Sequence, residues 1–244
     1  MNSKGLVAVP ARFQLQINSR KKCIHMRDFT KIKTIIFDYD GTLHNSIKIY
    51  APAFCKAYKY LVENGFAKER SWSEEEISYW LGFNSQEMWA AFMPGLPLET
   101  KELCSRIIGE EMKKLVEEGK SVLYEGALHT LDYLKQKGYH LVFLSNCKLY
   151  YRDAHKKTFQ LERYFEDMVC SEEHSFIPKY EILGRIKHNY PGELVMIGDR
   201  AQDIEAGVKN NIPTIGCTYG FAVEGELKDS DMLINDITEL KNYL

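Results

Sequence analysis

The sequence lacks several patterns that identify whole classes of protein. Its six cysteines include no Cys-x-x-Cys pair, so neither a zinc ribbon nor a dithiol redox centre is indicated. No apolar run approaches the ~20 residues that cross a bilayer. The net charge of only −2 gives no reason to expect nucleic acid as a partner. We therefore expect a cytoplasmic protein with reduced thiols and neither nucleic-acid nor membrane partners, while its oligomeric state cannot be read from the sequence.

The composition is that of a folded chain. Of its 244 residues, 45% are hydrophobic and 27% charged, which is enough for a core domain with a smaller inserted one. The first thirty residues differ, because they are basic and contain a single acid, Asp28. A targeting peptide would explain the bias, but neither an apolar centre nor a cleavage pattern is seen. We expect a disordered N-terminal extension at residues 1–31.

The order of predicted elements indicates the fold class. A β-branched apolar run at 33–37 predicts a buried strand, and the residues that follow have helical periodicity. Beyond residue 120, helices alternate with short apolar runs, which predicts parallel βαβ units. We expect an α/β fold with a doubly wound parallel-sheet, Rossmann-like core. Its predicted bounds are 32–46 and 121–244 for the core, and 47–120 for an inserted all-helical cap.

Polar residues follow three of the predicted strands. Asp38 ends the first strand, Ser145 and Asn146 end the second, and Asp199 ends the strand at 194–197. In open parallel sheets, ligands bind outside the carboxyl ends of the strands. These side chains are therefore expected to form one site.

Three residues have the chemistry for phosphate-ester hydrolysis. Asp38 can attack phosphorus and form a phospho-aspartate intermediate. Asp40 can protonate the leaving oxygen and then activate water, a role that needs a raised pKa. Lys179 adds a fixed positive charge beside the phosphoryl group.

Other residues are candidates for binding phosphate or metal. The backbone amides of Gly41 and Thr42 could approach phosphate, as could the polar groups of Ser145 and Asn146. A third set of candidates consists of carboxylates that suit Mg²⁺, which prefers oxygen ligands; it comprises Asp38, Asp199 and Asp203.

Together these residues resemble the haloacid-dehalogenase-like hydrolase superfamily over residues 32–244. The matching motifs are Asp38-x-Asp40-Gly41-Thr42, Ser145, Lys179 and Gly198-Asp199-x-x-x-Asp203. A helical cap between the first two motifs is similar to the subgroup that contains phosphoglycolate phosphatase and β-phosphoglucomutase. The resemblance implies Mg²⁺ bound by Asp38, the backbone carbonyl of Asp40 and the fourth-motif acid. The third motif departs slightly, because Pro178 precedes Lys179 where relatives often carry Lys-Pro.

The resemblance implies a Mg²⁺-dependent phosphatase that hydrolyses a small phosphorylated metabolite, phosphoglycolate-like or a sugar phosphate, through phospho-aspartate. Asp40 argues against dehalogenases, which resemble one another in having tyrosine there, and against phosphonate-cleaving relatives, which have a small residue. A sugar-phosphate mutase is the main alternative, although Tyr50 stands where β-phosphoglucomutases carry histidine. Pyrophosphatase, nucleotidase and a catalytically silent phospholigand-binding protein remain open.

Several other conspicuous residues are expected to serve packing. The histidines show no metal-ligand spacing, although His44 lies close to the first motif and could touch substrate. Cys147 is expected to be a small buried residue. Five aromatic residues of the predicted helical cap are expected to form its core, where one of them could line the pocket; they are Tyr79, Trp80, Phe83, Trp89 and Phe92.

Overall fold

The computed structural model describes residues 29–83 and 85–244. Its centre is a sheet of six strands, which are β1 (Ile32–Phe37), β2 (His140–Ser145), β3 (Asp167–Cys170), β4 (Glu193–Gly198), β5 (Thr214–Cys217) and β6 (Met232–Ile234). All adjacent strands are parallel, in the order β3-β2-β1-β4-β5-β6. The predicted α/β class with a parallel sheet is confirmed.

Strand β1 is buried on both sides because it lies at the centre of the sheet. Ile35 and Phe37 belong to one apolar cluster and Ile36 to another, and all three side chains are fully buried. The helices after residue 120 cover the two faces. They are α5 (Ala127–Gln136), α6 (Leu149–Phe159), α7 (Lys179–Ile186) and α8 (Ala201–Lys209). A strand buried on both faces has a continuous apolar run rather than an alternating one, which explains the sequence at this position.

Four helices lie between β1 and β2 in the chain. They are α1 (Ile47–Glu63), α2 (Glu74–Ser78), α3 (Ser85–Phe92) and α4 (Leu98–Glu117). They share a separate apolar cluster rich in aromatic rings. The Ser73-x-x-Glu76 spacing predicts a capping box at the start of α2, and both of its hydrogen bonds are present. The Asn84-x-x-Glu87 spacing predicts a second one, but Asn84 lies outside the described residues. We use the name helical segment for α1–α4, and its division from the sheet as a separate domain stays a prediction.

The two connections between the helical segment and the sheet run side by side. The Tyr124 amide donates to the Leu43 carbonyl at 2.9 Å, and the Asn45 amide donates to the Val122 carbonyl at 2.9 Å. A further bridge joins His44 to Leu123 in antiparallel register. The chain therefore leaves the sheet and returns to it at one place, immediately beyond the first motif.

Short 3-10 helices lie near both ends of the described chain. The predicted extension at 1–31 falls mainly on residues outside the described part, and Phe29–Lys31 form a short 3-10 helix in which Phe29 is buried. The sequence after residue 234 predicts a C-terminal helix, and the structure has a 3-10 helix at Ile237–Asn242 rather than an α-helix. Among the described residues, no helix is both long and apolar enough to cross a membrane.

Candidate active site

A buried lysine joins two of the predicted carboxylates. Asp38 follows β1, Lys179 begins α7, and Asp203 lies in the first turn of α8. Lys179 Nζ donates to Asp38 Oδ1 at 2.6 Å and to Asp203 Oδ1 at 2.5 Å. Burial alone would lower the pKa of Lys179, but the two carboxylates outweigh it and raise the pKa. The lysine is therefore a fixed positive charge, and the Pro178-Lys179 order still brings it into contact with Asp38.

Asp199 adds a third carboxylate to this pair. Asp38, Asp199 and Asp203 are all buried, and each offers an oxygen within 4.8 Å of the others. Burial, then repulsion from Asp203, raises the pKa of Asp38 to about 7. Burial and its two neighbours also raise the pKa of Asp199 well above its usual range. Three carboxylates against one lysine leave excess negative charge, and an all-oxygen donor set of this kind fits a divalent metal ion.

Two glycines allow Asp199 to approach the first motif closely. Gly41 has a φ of +87°, and a Cβ there would lie 2.1 Å from Asp199 Oδ2. A Cβ on Gly220 would lie 2.4 Å from Asp199 Oδ2. The amide of Phe221 donates to that same oxygen at 2.6 Å. Any side chain at Gly41 would therefore be both strained and in collision with the carboxylate.

The backbone amides of the first motif are already used within their own loop. The Gly41 amide donates to the His44 carbonyl at 2.8 Å, and the Thr42 amide donates to the Tyr39 carbonyl at 3.2 Å. This corrects the expectation that these two amides bind phosphate, because a tight turn needs them. The Thr42 hydroxyl instead lies 3.4 Å from both Asp38 Oδ2 and Asp199 Oδ1.

The other predicted phosphate donors lie at the end of β2. Ser145 is buried and Asn146 is exposed, and both line the same cavity as Asp38 and Lys179. Cys147 beside them is partly buried, with its sulfur 3.4 Å from that of Cys170.

Asp40 is held by two side chains that share one of its oxygens. Tyr151 donates its hydroxyl to Asp40 Oδ1 at 2.7 Å, and His44 Nδ1 lies 2.9 Å from the same oxygen. Burial raises the pKa of Asp40, but the hydrogen bonds from His44 and Tyr151 outweigh it and lower the pKa. The expected raised pKa is therefore wrong for Asp40, since donors around a carboxylate stabilise its charged form.

A buried cluster of aromatic rings packs against His44, the residue that contacts Asp40. The Tyr39 ring stacks on His44 with centroids 5.2 Å apart, and its hydroxyl lies 2.7 Å from His155 Nδ1. Burial, followed by the neighbouring His44, lowers the pKa of His155 to about 3. The sequence did not identify Tyr151 or His155. Their spacing of four places them on one side of α6, but only the fold shows that this side contacts Asp40.

A cavity of about 260 Å³ lies between these residues and the helical segment. Asp38, Asp40 and Lys179 line it on the sheet side. Of the five aromatic residues expected to form the core of the helical segment, with one of them at the pocket, three line the cavity; they are Trp80, Phe83 and Trp89. The site is thus closed on one side by polar groups and on the other by rings.

Comparison with known proteins gives consistent relatives. The sequence profile of haloacid dehalogenase-like hydrolases matches residues 35–217. A phosphoglycolate phosphatase of Haemophilus influenzae is 27% identical over 234 residues, which cover 88% of this chain and 99% of the relative. The pyrophosphatase PpaX of Bacillus pumilus is 28% identical, covering 80% of this chain and 86% of the relative.

The fold is also similar to solved structures. The crystal structure of a predicted phosphoglycolate phosphatase from Haemophilus somnus superposes with a TM-score of 0.74 at 23% identity, covering 87% of this chain and 98% of the other. At that identity, the similarity concerns the fold alone. The family profile, by contrast, spans every one of the four motifs and most of the sheet. With Asp38, Lys179, Asp199 and Asp203 gathered at the carboxyl ends of the strands, the chain belongs to the haloacid dehalogenase-like hydrolases.

Proposed function

We propose that this protein is a Mg²⁺-dependent phosphatase that hydrolyses a small phosphorylated metabolite through a phospho-aspartate on Asp38. The observation that carries the proposal is the contact of Lys179 with both Asp38 and Asp203 in a buried, carboxylate-rich site. Relatives named phosphoglycolate phosphatase and pyrophosphatase support phosphoryl chemistry. A cytoplasmic location remains a prediction from the sequence.

Asp38 is the nucleophile in the first step. One carboxylate oxygen attacks phosphorus, and the bond between phosphorus and the leaving oxygen breaks. Lys179 holds Asp38 Oδ1, whereas the one contact found for Oδ2 among the described residues is that of the Thr42 hydroxyl at 3.4 Å, so Oδ2 is the less engaged oxygen. The lysine charge, with the donor groups of Ser145 and Asn146, stabilises the phosphoryl oxygens as charge develops on them.

Asp40 transfers the protons. In the first step its carboxyl gives a proton to the leaving oxygen. In the second, its carboxylate takes a proton from the water that attacks phosphorus and releases Asp38. Tyr151 and His44 favour the carboxylate form that the second step needs. The negative charge of a bound phosphate raises the pKa again, which supplies the acid for the first step.

The carboxylates also form the proposed Mg²⁺ site. Asp38, Asp199 and Asp203 would hold the ion together with the backbone carbonyl of Asp40. Magnesium is favoured over softer metals because every donor is an oxygen and Mg²⁺ binds through few carboxylates. When bound, the ion supplies positive charge that screens the repulsion between an anionic nucleophile and an anionic substrate.

The alternative activities differ in the group to which the phosphoryl group of the substrate is attached. A pyrophosphatase is the second candidate, since one relative carries that name. A sugar-phosphate mutase is disfavoured because Tyr50, which lines the cavity, replaces the histidine expected of β-phosphoglucomutases. A nucleotidase would share the phosphoryl chemistry and differ only in its leaving group.

The test is hydrolysis of p-nitrophenyl phosphate by the full chain with and without Mg²⁺. We expect phosphate release that requires Mg²⁺ and falls by more than ~10³-fold in Asp38→Asn, because the covalent step is lost. Asp153→Asn is the matched control, since that side chain is 60% exposed. Activity that survives in Asp38→Asn would refute the nucleophile, whereas Mg²⁺ binding without turnover of any phosphoester would favour the silent phospholigand-binding protein.

A further inference from the structure

The side of the cavity that faces the helical segment contains no charge. Among the described residues of 46–112 that line it, none is lysine, arginine, histidine, aspartate or glutamate. The wall there is made of rings, aliphatic side chains and serine hydroxyls. The rings include Tyr50 from α1, Trp89 from α3, and Trp80 and Phe83 between α2 and α3. A group bound on this side meets an apolar, mainly aromatic surface.

Charges outside the catalytic set are either paired or exposed to water. Arg200 lines the cavity, and its Nε donates to Glu226 Oε1 at 2.8 Å between two side chains that are about nine-tenths buried. The buried Nη1 of Arg200 has no hydrogen-bond partner among the described residues, so it offers a donor, but the guanidinium charge is already balanced by Glu226. Lys148 is exposed and remains in water. An acidic leaving group would therefore gain a donor but no unpaired buried positive charge, and the loss of its hydration would be costly.

Polar atoms without partners also line the cavity. The Trp80 Nε1–H and the Ser46 hydroxyl are buried and have no hydrogen-bond partner among the described residues, and the same is true of Gln202 Oε1. All three residues line the cavity. A buried donor or acceptor left unpaired costs free energy, so a ligand that pairs with it gains affinity. The cavity thus offers ring faces together with a few single donors and acceptors.

The size of the cavity agrees with a ring rather than a two-carbon acid. Its volume of about 260 Å³ is close to the ~300 Å³ at which the usual range of small-molecule pockets begins. A glycolate group would leave most of the aromatic wall uncovered. A flat heterocycle would stack on the rings and present its edge atoms to the unpaired groups.

From these observations we infer that the substrate is a phosphomonoester whose leaving alcohol is uncharged and carries a flat heteroaromatic ring. The inference rests on the proposed phosphatase activity and narrows the substrate within it. Nucleoside monophosphates and phosphates of pyridine alcohols share this chemistry. The glycolate and sugar leaving groups suggested by the sequence do not.

The test compares four substrates of the full chain with Mg²⁺. They are uridine 5′-monophosphate, pyridoxine 5′-phosphate, glycerol 3-phosphate and phosphoglycolate, each measured as kcat/KM. We expect at least one of the two ring substrates to exceed both others by about tenfold or more, the usual discrimination of a shaped apolar pocket. The better ring substrate tells whether a nucleoside or a pyridine ring is preferred. Phosphoglycolate or glycerol 3-phosphate as the best substrate would overturn the inference and leave the phosphatase activity intact.

A variant pair connects the preference to this cavity. Phe176 lines the cavity and its side chain is 49% exposed, so Phe176→Ala should fold. We expect this change to lower the ratio of kcat/KM for the ring substrate to that for glycerol 3-phosphate by about threefold to tenfold, the value of one aromatic contact. Phe66→Ala is the control, because Phe66 is 40% exposed and lies outside the cavity. Equal ratios in the two variants would overturn the assignment of the ring to this cavity. No phosphate release from these substrates or from p-nitrophenyl phosphate would refute the phosphatase proposal itself.

Discussion

The hydroxyl of Tyr151 offers a direct test of how Asp40 is tuned. It donates to Asp40 Oδ1 at 2.7 Å from a side chain that is 6% exposed. Tyr151→Phe removes this donor and leaves the ring in place. His44 then remains the one partner found for Asp40 Oδ1 within the described residues. The change is small in volume, so its effect should fall on the carboxyl group rather than on packing.

The size of the effect follows from the strength of the lost bond. A hydrogen bond to a charged group contributes about 1.5–3 kcal/mol, and a pKa changes by one for each ~1.4 kcal/mol. Because Tyr151 lowers the pKa of Asp40, its removal should raise that pKa by about one to two. The limb of the pH–rate profile that belongs to Asp40 should move to higher pH by the same amount. The direction is the same whether Asp40 limits the reaction as acid or as base, because both limbs follow its pKa. We also expect kcat at the optimum to fall by roughly tenfold as the carboxyl loses its fixed orientation.

The assay is the pH dependence of kcat for Tyr151→Phe beside that for Tyr39→Phe. Tyr39 lies in the same cluster, but its hydroxyl pairs with His155 rather than with Asp40. Only the first variant should move the limb. An unmoved profile in Tyr151→Phe, or equal movement in both variants, would refute the assignment of Tyr151 to the control of Asp40.

Three further predictions concern stability. Lys179→Met should lower the free energy of unfolding by about 3–5 kcal/mol, because it leaves buried carboxylates unpaired; urea unfolding that matches the wild type would contradict the ion pairs. Mg²⁺ at about a hundred times its Kd should raise Tm by roughly 5–10 °C, as measured by calorimetry. The Asp203→Asn variant should lose most of that increase. An increase in the variant as large as in the wild type would exclude Asp203 as a ligand. His155 has its pKa lowered from 6.5 to about 3, so the unfolded state binds more protons between these values and stability falls as the pH falls. Between pH 7 and pH 5 the free energy of unfolding should fall by about 2 kcal/mol. The His155→Gln variant should not show this fall. An equal fall in both proteins would count against a buried neutral His155.

The sequence predicted best the parts of the fold that depend on local patterns. Ile35, Ile36 and Phe37 are all buried, on alternating faces of the sheet, because β1 is the central strand. Strand ends were therefore visible, and with them the positions of Asp38 and Asp199. Parallel strands bring their carboxyl ends to one edge whatever the intervening loops do. The expected cluster of carboxylates follows from topology alone.

The contacts that tune these carboxylates could not be predicted in the same way. Tyr151 meets Asp40 across 111 positions of sequence, and nothing in α6 shows which of its sides contacts the first motif. The expected raised pKa of Asp40 failed for this reason, since the donors that lower it were unknown. The amides of Gly41 and Thr42 illustrate the same limit, because a turn that uses its own amides looks identical in sequence to one that presents them to phosphate.

The aromatic residues of the helical segment mark a different limit. Periodicity shows that Trp80 and Trp89 are buried, which the structure confirms. It does not distinguish a ring that packs only against neighbours from one that also borders a cavity. Both situations require an apolar residue at the same helical spacing. The rings that border the cavity are the ones that could contact a substrate, and periodicity does not identify them.

The paired connections beyond the first motif bear on how such proteins diversify. Backbone hydrogen bonds join Leu43 to Tyr124 and Asn45 to Val122, so the two ends of the helical segment lie side by side. An insertion with adjoining ends can be lengthened, exchanged or recombined without displacing the strands on either side. His44 lies between these two hydrogen bonds and contacts Asp40, so an exchange of the helical segment would leave both residues in place. Natural variation can thus replace the helical segment, while His44, which contacts Asp40, is inherited unchanged.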